Sequence, residues 1–482
     1  MSRRAIGALL VTGTAVAAAA LLFGAGYPTP IYDGWGYYQL SMILRVHGLG
    51  GFPAGIRTYG YPFFTLIATG FRPFSPEGFR LVVFLAQLAV YLGACALAAR
   101  RLERLTGSAG IGLLAYALAA LNPPLLAQAT EPLTDLVSAA LILAAVALAW
   151  RMPGAPRPGA AWRETLPSFL CAGLAVAVRP ANLAAAAGLA VAWAVRAVRW
   201  REPRARGLVA AVLVGLAVPL APQMIARRAQ TGAFLPLVDS GLYRDQAAWG
   251  MRVLKYGTLV ADGRTPFLVW TNPLYRGAAT PGEFAARDPL AYAGTLLMHG
   301  FAMVDRDLPF TYVTDLHPWY ARPLAVANLL LLAFALVLLV AAGTRVVRRV
   351  AKTPGSPPIR TFDEPAFAAL SLVLVGGAYA AVYLPVAVEA RFGAPLQALA
   401  PAAIALGVAE LRGASSPGTR RAVFAGAALL AAGGVVLSAR IDRQRSNPRD
   451  LRGLWPEVSG ASASPAPGPD PEKTPAAPRT ER

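Results

Sequence analysis

Charged side chains are scarce in this chain of 482 residues. They make up 15% of the sequence, whereas hydrophobic residues make up 56%. Soluble proteins carry about 25% charged residues, so this chain has too few polar groups to cover a surface that faces water on all sides. The shortage excludes an ordinary soluble domain and indicates that most of the molecular surface faces lipid.

Cysteine is also nearly absent, with two residues in the whole chain. Cys95 and Cys171 both lie in apolar runs of the length that crosses a bilayer. Two such cysteines cannot build a disulfide framework, so the fold has to be held together by packing.

Apolar runs along the chain predict about eleven membrane-spanning helices, because a helix needs ~20 apolar residues to cross a bilayer. The predicted spans lie near residues 6–26, 80–99, 108–127, 133–150, 166–180, 182–198, 207–226, 323–343, 366–386, 394–411 and 421–439. The predicted fold class is an all-α polytopic membrane protein with two long extracytoplasmic loops, residues 27–79 and 227–322. Arg3 and Arg4 precede the first run, which is rich in alanine, so a cleaved signal peptide is the alternative for that run.

The excess of basic residues predicts the orientation in the membrane. The chain carries 45 Lys and Arg against 25 Asp and Glu, a formal net charge of +20. With the N-terminus in the cytoplasm, the bases of the short loops fall on the cytoplasmic side, and the short outer turns hold only Arg179 and Arg391. We therefore predict a multi-pass membrane protein with its N-terminus in the cytoplasm and with no nucleic-acid partner. The C-terminal arginines from Arg440 to Arg449 are the exception, because an odd number of spans places them outside, unless the last span is miscounted.

Four parts of the chain follow from these runs. Residues 1–235 form a predicted transmembrane core that includes the first outer loop, and residues 236–322 form an extracytoplasmic loop region. Residues 323–440 form the C-terminal transmembrane helices, and residues 441–482 form a tail. The low-complexity proline and alanine composition of the tail predicts disorder from about residue 457.

A carboxylate and several aromatic rings follow the first span. Residues 27–38 (YPTPIYDGWGYY) place Asp33 just beyond the bilayer edge, and residues 57–62 (RTYGYP) lead from Arg57 towards the second span. A carboxylate can take a proton from a hydroxyl group, and aromatic rings can cover the apolar face of a sugar. The candidate aromatic residues are Trp35, Tyr38, Tyr59 and Tyr61. The alternative is that Asp33 caps an interfacial helix and that the rings form an aromatic belt.

Later outer turns supply further acids and arginines. Glu131 and Asp135 lie four residues apart, on one face of the predicted fourth span, and an acid inside a span is a functional candidate. The alternative is that both acids favour the helix dipole. Arg179 and Arg391 oppose the trend of basic residues towards the cytoplasm. A bound phosphate would explain them, and so would an ion pair such as that of Arg391 with Glu389.

No metal site is assigned from the sequence. The spacing of the three histidines, His47, His299 and His317, matches no metal-binding motif. A divalent ion bound by carboxylates stays open as an alternative. Its candidate ligands are Asp305, Asp307 and Asp315. No glycine-rich phosphate loop precedes a helix, so activity driven by a nucleotide is not predicted.

The order of these motifs resembles the GT-C superfamily of integral-membrane glycosyltransferases, which includes protein O-mannosyltransferases and aminoarabinose transferases. The matching segments are the acid after the first span, residues 60–62 (GYP), 130–133 (TEPL), 179–180 (RP), 219–232 and 389–395 (EARFGAP). The family usually has Asp-Glu or Asp-Ser in the first loop, whereas Gly34 follows Asp33 here. Glu131 is the replacement that we favour for the second acidic role.

The resemblance implies a sugar donor linked to polyprenyl phosphate and used on the outer face. Asp33 would be the general base of an inverting transfer, and Glu131 would hold the acceptor or a metal ion. Arg57, Arg179 and Arg391 would balance the charge of the leaving phosphate. Glycan, lipid and protein acceptors are all open, and membrane lipid is an expected partner.

Two other functions remain as alternatives. A polytopic transporter or lipid-linked sugar flippase would need inverted repeats with matching broken helices, and no such repeat is visible in the sequence. A membrane scaffold without catalytic activity would tolerate simultaneous replacement of Asp33, Glu131 and Arg57.

Overall fold

The computed structural model describes residues 2–53, 57–150, 161–199, 205–236, 238, 241–258, 267–305, 321–351, 364–414 and 416–446. The helices are α1 (Arg3–Ala25), α2 (Asp33–His47), α3 (Gly60–Ala68), α4 (Pro76–Thr106), α5 (Ala109–Ala120), α6 (Pro123–Ala129), α7 (Thr134–Ala149), α8 (Ala161–Val178), α9 (Asn182–Arg199), α10 (Ala205–Thr231), α11 (Leu242–Arg252), α12 (Pro281–Arg287), α13 (Pro289–Ala302), α14 (Ala321–Ala351), α15 (Glu364–Tyr383), α16 (Ala394–Ala414) and α17 (Pro417–Asp442). The strands are β1 (Val253–Thr258), β2 (Phe267–Thr271), β3 (Val388–Glu389) and β4 (Arg445–Ser446), and a 3-10 helix spans Ala390–Gly393. The candidates Asp307, Asp315 and His317 and the predicted disordered tail from residue 457 lie outside the described residues.

Helices occur in all eleven segments that the sequence predicts as spans, which confirms the polytopic helical fold class. Seven helices in the described part are long and apolar enough to cross a membrane: α1, α4, α10, α14, α15, α16 and α17. The pair of α5 and α6 makes an eighth candidate, while α7, α8 and α9 are shorter apolar helices. The protein is therefore a multi-pass membrane protein, but the number of eleven spans is not confirmed.

The third predicted span is broken, with an angle of 53° between α5 and α6. Asn122 lies at the break and its side chain accepts a hydrogen bond from the backbone N–H of Leu125, which caps α6. Pro123 follows at the first position of α6, where its missing N–H costs nothing. The local sequence thus ends one helix and starts another where hydropathy alone predicts a continuous span.

Helix α7 lies at the centre of the bundle. Nearly all of its residues are buried, and it packs against α4, α8 and α16. Its many alanines let neighbouring helices approach closely. Gly60 at the start of α3 permits a similar approach, since a Cβ there would lie 2.4 Å from the backbone carbonyl group of Ala177 in α8. This contact places the segment that carries Arg57 beside the C-terminal end of α8.

A four-stranded sheet joins distant parts of the chain. Its order is β3-β1-β2-β4, in which β1 pairs parallel with β3 and antiparallel with β2, and β2 pairs antiparallel with β4. Because β3 precedes α16 and β4 follows α17, the start of α16 and the end of α17 lie on one face of the bundle, which we call the sheet face. The all-α prediction omitted this sheet, and the arginines at 440, 443 and 445 lie on the sheet face.

Buried polar contacts fasten the sheet to the end of α17. The ammonium group of Lys255 on β1 lies 2.8 Å from Asp305 Oδ2, and both side chains are buried. Ser438 on α17 donates a hydrogen bond to Asp305 Oδ1 at 2.8 Å, and the indole N–H of Trp270 donates to Asp442 at 3.3 Å. Because an ammonium group already balances Asp305, its surroundings do not support a role as a ligand of a divalent ion.

Candidate functional site

Asp33 is the first residue of α2 and lies close to the turn between α6 and α7. Tyr32 before it has a φ of 46°, an unfavourable backbone conformation for a bulky residue, and the helix starts directly after it. Gly34 packs against Pro132, since a Cβ at position 34 would lie 3.1 Å from Pro132 Cγ. The glycine that departs from the GT-C pattern therefore lets the start of α2 approach the α6–α7 turn.

Two arginines hold the Asp33 carboxylate. Arg57 Nη2 lies 2.5 Å from Asp33 Oδ1, and Arg391 Nη2 lies 2.7 Å from Asp33 Oδ2. The surrounding protein raises the pKa of Asp33 by desolvation, but the guanidinium groups of Arg391 and Arg57 outweigh this and hold the pKa below its usual range. The guanidinium group of Arg57 also lies over the ring of Tyr37, 4.4 Å from its centre. The Asp33 side chain is 32% exposed, so a substrate can reach it.

Arg391 links Asp33 to two further acids. Its Nε donates a hydrogen bond to Glu389 Oε2 at 2.6 Å, and its Nη1 lies 3.9 Å from Asp135 Oδ2. Asp135 also forms an ion pair with Arg179. Three carboxylates and three guanidinium groups therefore form one cluster, which we call the Asp33 network. Its members are Asp33, Asp135, Glu389, Arg57, Arg179 and Arg391.

Five members of the Asp33 network are residues that the sequence predicts separately, and the structure brings them together from five parts of the chain. The sixth, Glu389, was considered only as a partner of Arg391, and this ion pair is present. Burial raises the pKa of Glu389, although Arg391 opposes the shift. The Oε1 atom of Glu389 has no hydrogen-bond partner among the described residues. When all six groups are ionised, their formal charges cancel.

Aromatic residues that the sequence did not reveal surround the network. The guanidinium group of Arg179 lies 4.6 Å from the ring centre of Phe392 and 5.7 Å from that of Tyr383. Tyr256 on β1 pairs with Glu389 on β3, and burial, followed by Glu389, raises the pKa of its hydroxyl group. The position of Phe392 directly after a candidate arginine was an available signal, but nothing near Tyr256 in the sequence indicates its partner.

The four aromatic candidates divide into two pairs. Trp35 and Tyr38 on α2 are partly exposed, and their ring centres lie 5.2 Å apart. Tyr59 and Tyr61 are buried. The hydroxyl group of Tyr59 donates to a backbone carbonyl of α10 at 2.5 Å, and that of Tyr61 donates to a glutamine of α4 at 2.8 Å. Their hydroxyl groups thus connect the start of α3 to α10 and α4.

Glu131 lies apart from the Asp33 network. The sequence predicts that Glu131 and Asp135 share a helix face, but α7 begins at Thr134, so Glu131 precedes the helix. Its Oε1 lies 3.3 Å from Arg80 Nη2, both side chains are buried, and its Oε2 has no hydrogen-bond partner among the described residues. Burial raises the pKa of Glu131 to about 7, although Arg80 lowers it. The catalytic role of Glu131 stays a prediction.

A metal ion does not fit the acids of the Asp33 network. Each of its carboxylates faces at least one guanidinium group, a cationic environment that competes with a divalent ion. In the described part of the chain, no group of three or more His, Cys, Asp or Glu side chains could hold a metal ion. Both ring nitrogens of His299 face backbone carbonyl oxygens, those of Leu384 at 2.7 Å and Val253 at 3.1 Å.

The geometry of the network is suited to two chemical tasks. A partly exposed carboxylate such as that of Asp33 is a group that can accept a proton from a hydroxyl group. The guanidinium groups beside it can bind a phosphate through paired hydrogen bonds and can stabilise negative charge that develops there.

Two solved structures illustrate what this chain is similar to. One is the archaeal oligosaccharyltransferase AglB from Archaeoglobus fulgidus, in complex with an inhibitory peptide and a dolichol-phosphate. Its sequence is 14% identical to this chain, and the TM-score is 0.45. The match covers 90% of this chain and 56% of the chain of that enzyme. The other is ArnT from Cupriavidus metallidurans bound to undecaprenyl phosphate. It is 15% identical, with a TM-score of 0.37, over 84% of this chain and 78% of its own.

The chain spans about half the length of the Archaeoglobus fulgidus enzyme, another structure of which is a complex with Zn and sulfate. No protein-family model and no curated protein sequence matches the chain. Similarities at these identities do not assign an activity, so the function has to be argued from the residues of this chain.

Proposed function

We propose that the protein is a membrane glycosyltransferase that moves a sugar from a polyprenyl-phosphate-linked donor to an acceptor hydroxyl group. The main support is the Asp33 carboxylate between Arg57 and Arg391, at 2.5 and 2.7 Å, with 32% of its side chain exposed. Such a transfer needs a base for the acceptor and cations for the leaving phosphate, and these three side chains supply both. Glycan, lipid and protein acceptors all offer the hydroxyl group that the reaction requires.

In the proposed reaction, the acceptor oxygen attacks the anomeric carbon while Asp33 takes its proton. The bond between the anomeric carbon and the phosphate oxygen breaks, and its electron pair leaves with the polyprenyl phosphate. Attack from the side opposite to the leaving group inverts the configuration. One negative charge disappears from Asp33 and one appears on the phosphate, where Arg57 and Arg391 stabilise it.

The other members of the Asp33 network position Arg391. Glu389 holds its Nε at 2.6 Å, and Asp135 lies 3.9 Å from its Nη1. Arg179 in turn pairs with Asp135, which leaves that buried acid balanced. We assign these three residues to the support of Arg391.

The aromatic pair of Trp35 and Tyr38 is proposed to cover the sugar. Both rings lie on α2, the helix that begins at Asp33, and both are partly exposed. The apolar face of a sugar ring packs favourably on an aromatic surface.

We place the sheet face on the extracytoplasmic side of a bacterial plasma membrane, with the N-terminus in the cytoplasm. The helix ends at the α4–α5 and α16–α17 junctions, opposite the sheet face, are rich in arginine, as the cytoplasmic ends of membrane helices are. Their basic residues are Arg100, Arg101, Arg104, Arg412, Arg420 and Arg421. On the extracytoplasmic side the donor has to be carried by a lipid, which agrees with the absence of a glycine-rich nucleotide loop in the sequence.

The proposal is tested with purified protein in detergent and a panel of synthetic sugars linked to polyprenyl phosphate. We expect transfer of at least one sugar to an envelope-derived acceptor, and a fall of ~10²-fold or more in Asp33→Asn. Asp245→Asn is the matched control, because Asp245 lies outside the network and faces Arg244 at the surface. An Asp33→Asn protein that elutes and melts like the wild type but retains its turnover would refute the assignment.

A further inference from the structure

The two oxygen atoms of Asp33 both accept hydrogen bonds from arginine side chains. Oδ1 accepts from Arg57 at 2.5 Å and Oδ2 accepts from Arg391 at 2.7 Å. A carboxylate that is bound in this way is a poor proton acceptor, because each hydrogen bond to a guanidinium group stabilises the ionised form. The structure therefore shows the proposed base in a state that is unsuited to its task.

The charge balance of the reaction indicates how this state is relieved. A polyprenyl-phosphate-linked sugar carries one negative charge, and the released polyprenyl phosphate carries up to two. Asp33 starts with one negative charge and ends neutral, as a carboxylic acid. The carboxylate and the phosphate thus need the two guanidinium groups at different stages of the reaction.

We infer that Arg57 and Arg391 exchange partners during the reaction. They hold the Asp33 carboxylate in the donor-free protein and turn to the phosphate when the donor binds, which frees Asp33 to take the acceptor proton. This inference rests on the proposed function, since it needs a phosphate-linked donor. Its consequence is that the donor binds before the acceptor can be activated.

The two arginines are held in ways that suit this exchange. The side chain of Arg57 is 29% exposed, lies on the segment before α3 and packs over the ring of Tyr37 at 4.4 Å. A guanidinium group on such a ring can turn without losing the stacking contact. Arg391 is anchored through Nε to Glu389, so its Nη2 group can leave Asp33 while the side chain stays in place.

The charged and titratable groups that face Asp33 come from every element packed against it. They are Arg57, Arg391, Glu389, Asp135, Arg179, Tyr37 and Tyr256. Of these, Arg57 and Arg391 form ion pairs with the two Asp33 oxygens. A bound phosphate draws the guanidinium groups of Arg57 and Arg391 away from Asp33 and places its own negative charge near the Asp33 carboxylate. Both changes raise the proton affinity of that carboxylate.

The test measures the binding of undecaprenyl phosphate in detergent by titration calorimetry at pH 5, in two buffers with different ionisation enthalpies. Undecaprenyl phosphate itself releases protons when arginines bind its dianion. The informative quantity is therefore the proton uptake of the wild type minus that of Asp33→Asn. We expect a positive difference, because Asp33 takes up a proton as its arginines leave.

Affinity gives a second readout from the same titrations. Asp33→Asn removes the carboxylate that competes for the two guanidinium groups, so we expect it to bind undecaprenyl phosphate about tenfold more tightly, a change of about 1.4 kcal/mol. If Asp33 merely held the arginines in position, Asp33→Asn would bind more weakly. Asp245→Asn should match the wild type in both readouts.

Arg57→Gln covers the case in which Asp33→Asn does not fold. It removes one ligand of the phosphate and one partner of Asp33, so we expect weaker binding and less proton uptake than in the wild type. Titration with inorganic phosphate separates the headgroup from the lipid, and we expect weaker binding with the same sign of proton uptake.

The outcomes distinguish this inference from the proposed function. A wild-type protein that does not bind undecaprenyl phosphate at all would overturn the proposed function. A wild-type protein that binds it, while Asp33→Asn binds equally or more weakly with the same proton balance, would overturn the exchange of partners and leave the proposed function standing.

Discussion

Replacement of Arg391 by glutamine removes the cation that three carboxylates share. The side chains of Glu389 and Asp135 are 3% and 1% exposed, so they cannot turn to water instead. Two unit charges 4 Å apart attract by about 4 kcal/mol at an effective dielectric constant of 20. Removal of one partner from a buried ion pair costs about 3–5 kcal/mol. We expect Arg391→Gln to lower the free energy of unfolding by an amount in this range. In the double variant, Glu389→Gln removes one of the unpaired carboxylates and should restore a large part of that free energy.

The assay is thermal unfolding in detergent, followed by tryptophan fluorescence at a fixed ratio of protein to detergent. We expect Arg391→Gln to melt several degrees below the wild type, and the double variant to melt between the two. Arg287→Gln is the matched control, because Arg287 pairs with Glu283 at the surface and is 64% exposed. Such pairs contribute less than about 1 kcal/mol. The reasoning fails if the double variant melts no higher than Arg391→Gln, or if Arg391→Gln melts like the control.

Two further predictions concern Glu131 and Gly60. Because burial raises the pKa of Glu131 from 4.5 to about 7, its contribution to stability is present below pH 4.5 and is lost as the pH rises to 7. Glu131→Gln should abolish this part of the dependence of the melting temperature on pH, and an unchanged slope would contradict the assignment. Gly60→Val forces a side chain against the Ala177 carbonyl group, 2.4 Å from the Cβ position, and should lower sugar transfer at least ~10-fold by shifting Arg57. Gly93→Val, where no atom lies within 4 Å, should retain transfer.

Local features of the sequence predict most of the helices. Each of the predicted spans has a helix at its position, because a run of apolar side chains of this length specifies both burial in lipid and a helical backbone. The break after α5 was also legible in the sequence, since Asn122 and Pro123 form a helix start. The break was not predicted because the mean hydropathy of residues 108–127 is that of a continuous span. The prediction that Glu131 and Asp135 share a helix face was wrong because it extended the helix too far towards the N-terminus. Pro132 lies in the turn before α7, so Glu131 is outside the helix.

Contacts between distant residues could not be predicted from the sequence. Asp33 and Arg391 are 358 positions apart, and their hydrogen bond depends on how the whole bundle packs. The sequence marked both as candidates because each carries charge at an outer turn, but it contained no signal that Arg57 and Arg391 contact the same carboxylate. The short strands were missed because their partners are remote and β3 and β4 have two residues each. Strands of this length carry no periodic pattern.

The sheet also sets the order in which the protein can be completed during biosynthesis. Strands β1 and β2 leave the ribosome before their outer neighbours β3 and β4, which lie further along the chain. Asp33 is also synthesised long before Arg391, because the two residues are 358 positions apart in the chain. A chain that stops before β3 contains Asp33 without Arg391, and its strands β1 and β2 have unpaired outer edges. Strands β3 and β4 therefore complete the sheet, and a polypeptide truncated before them presents the unpaired edges that quality-control proteases engage.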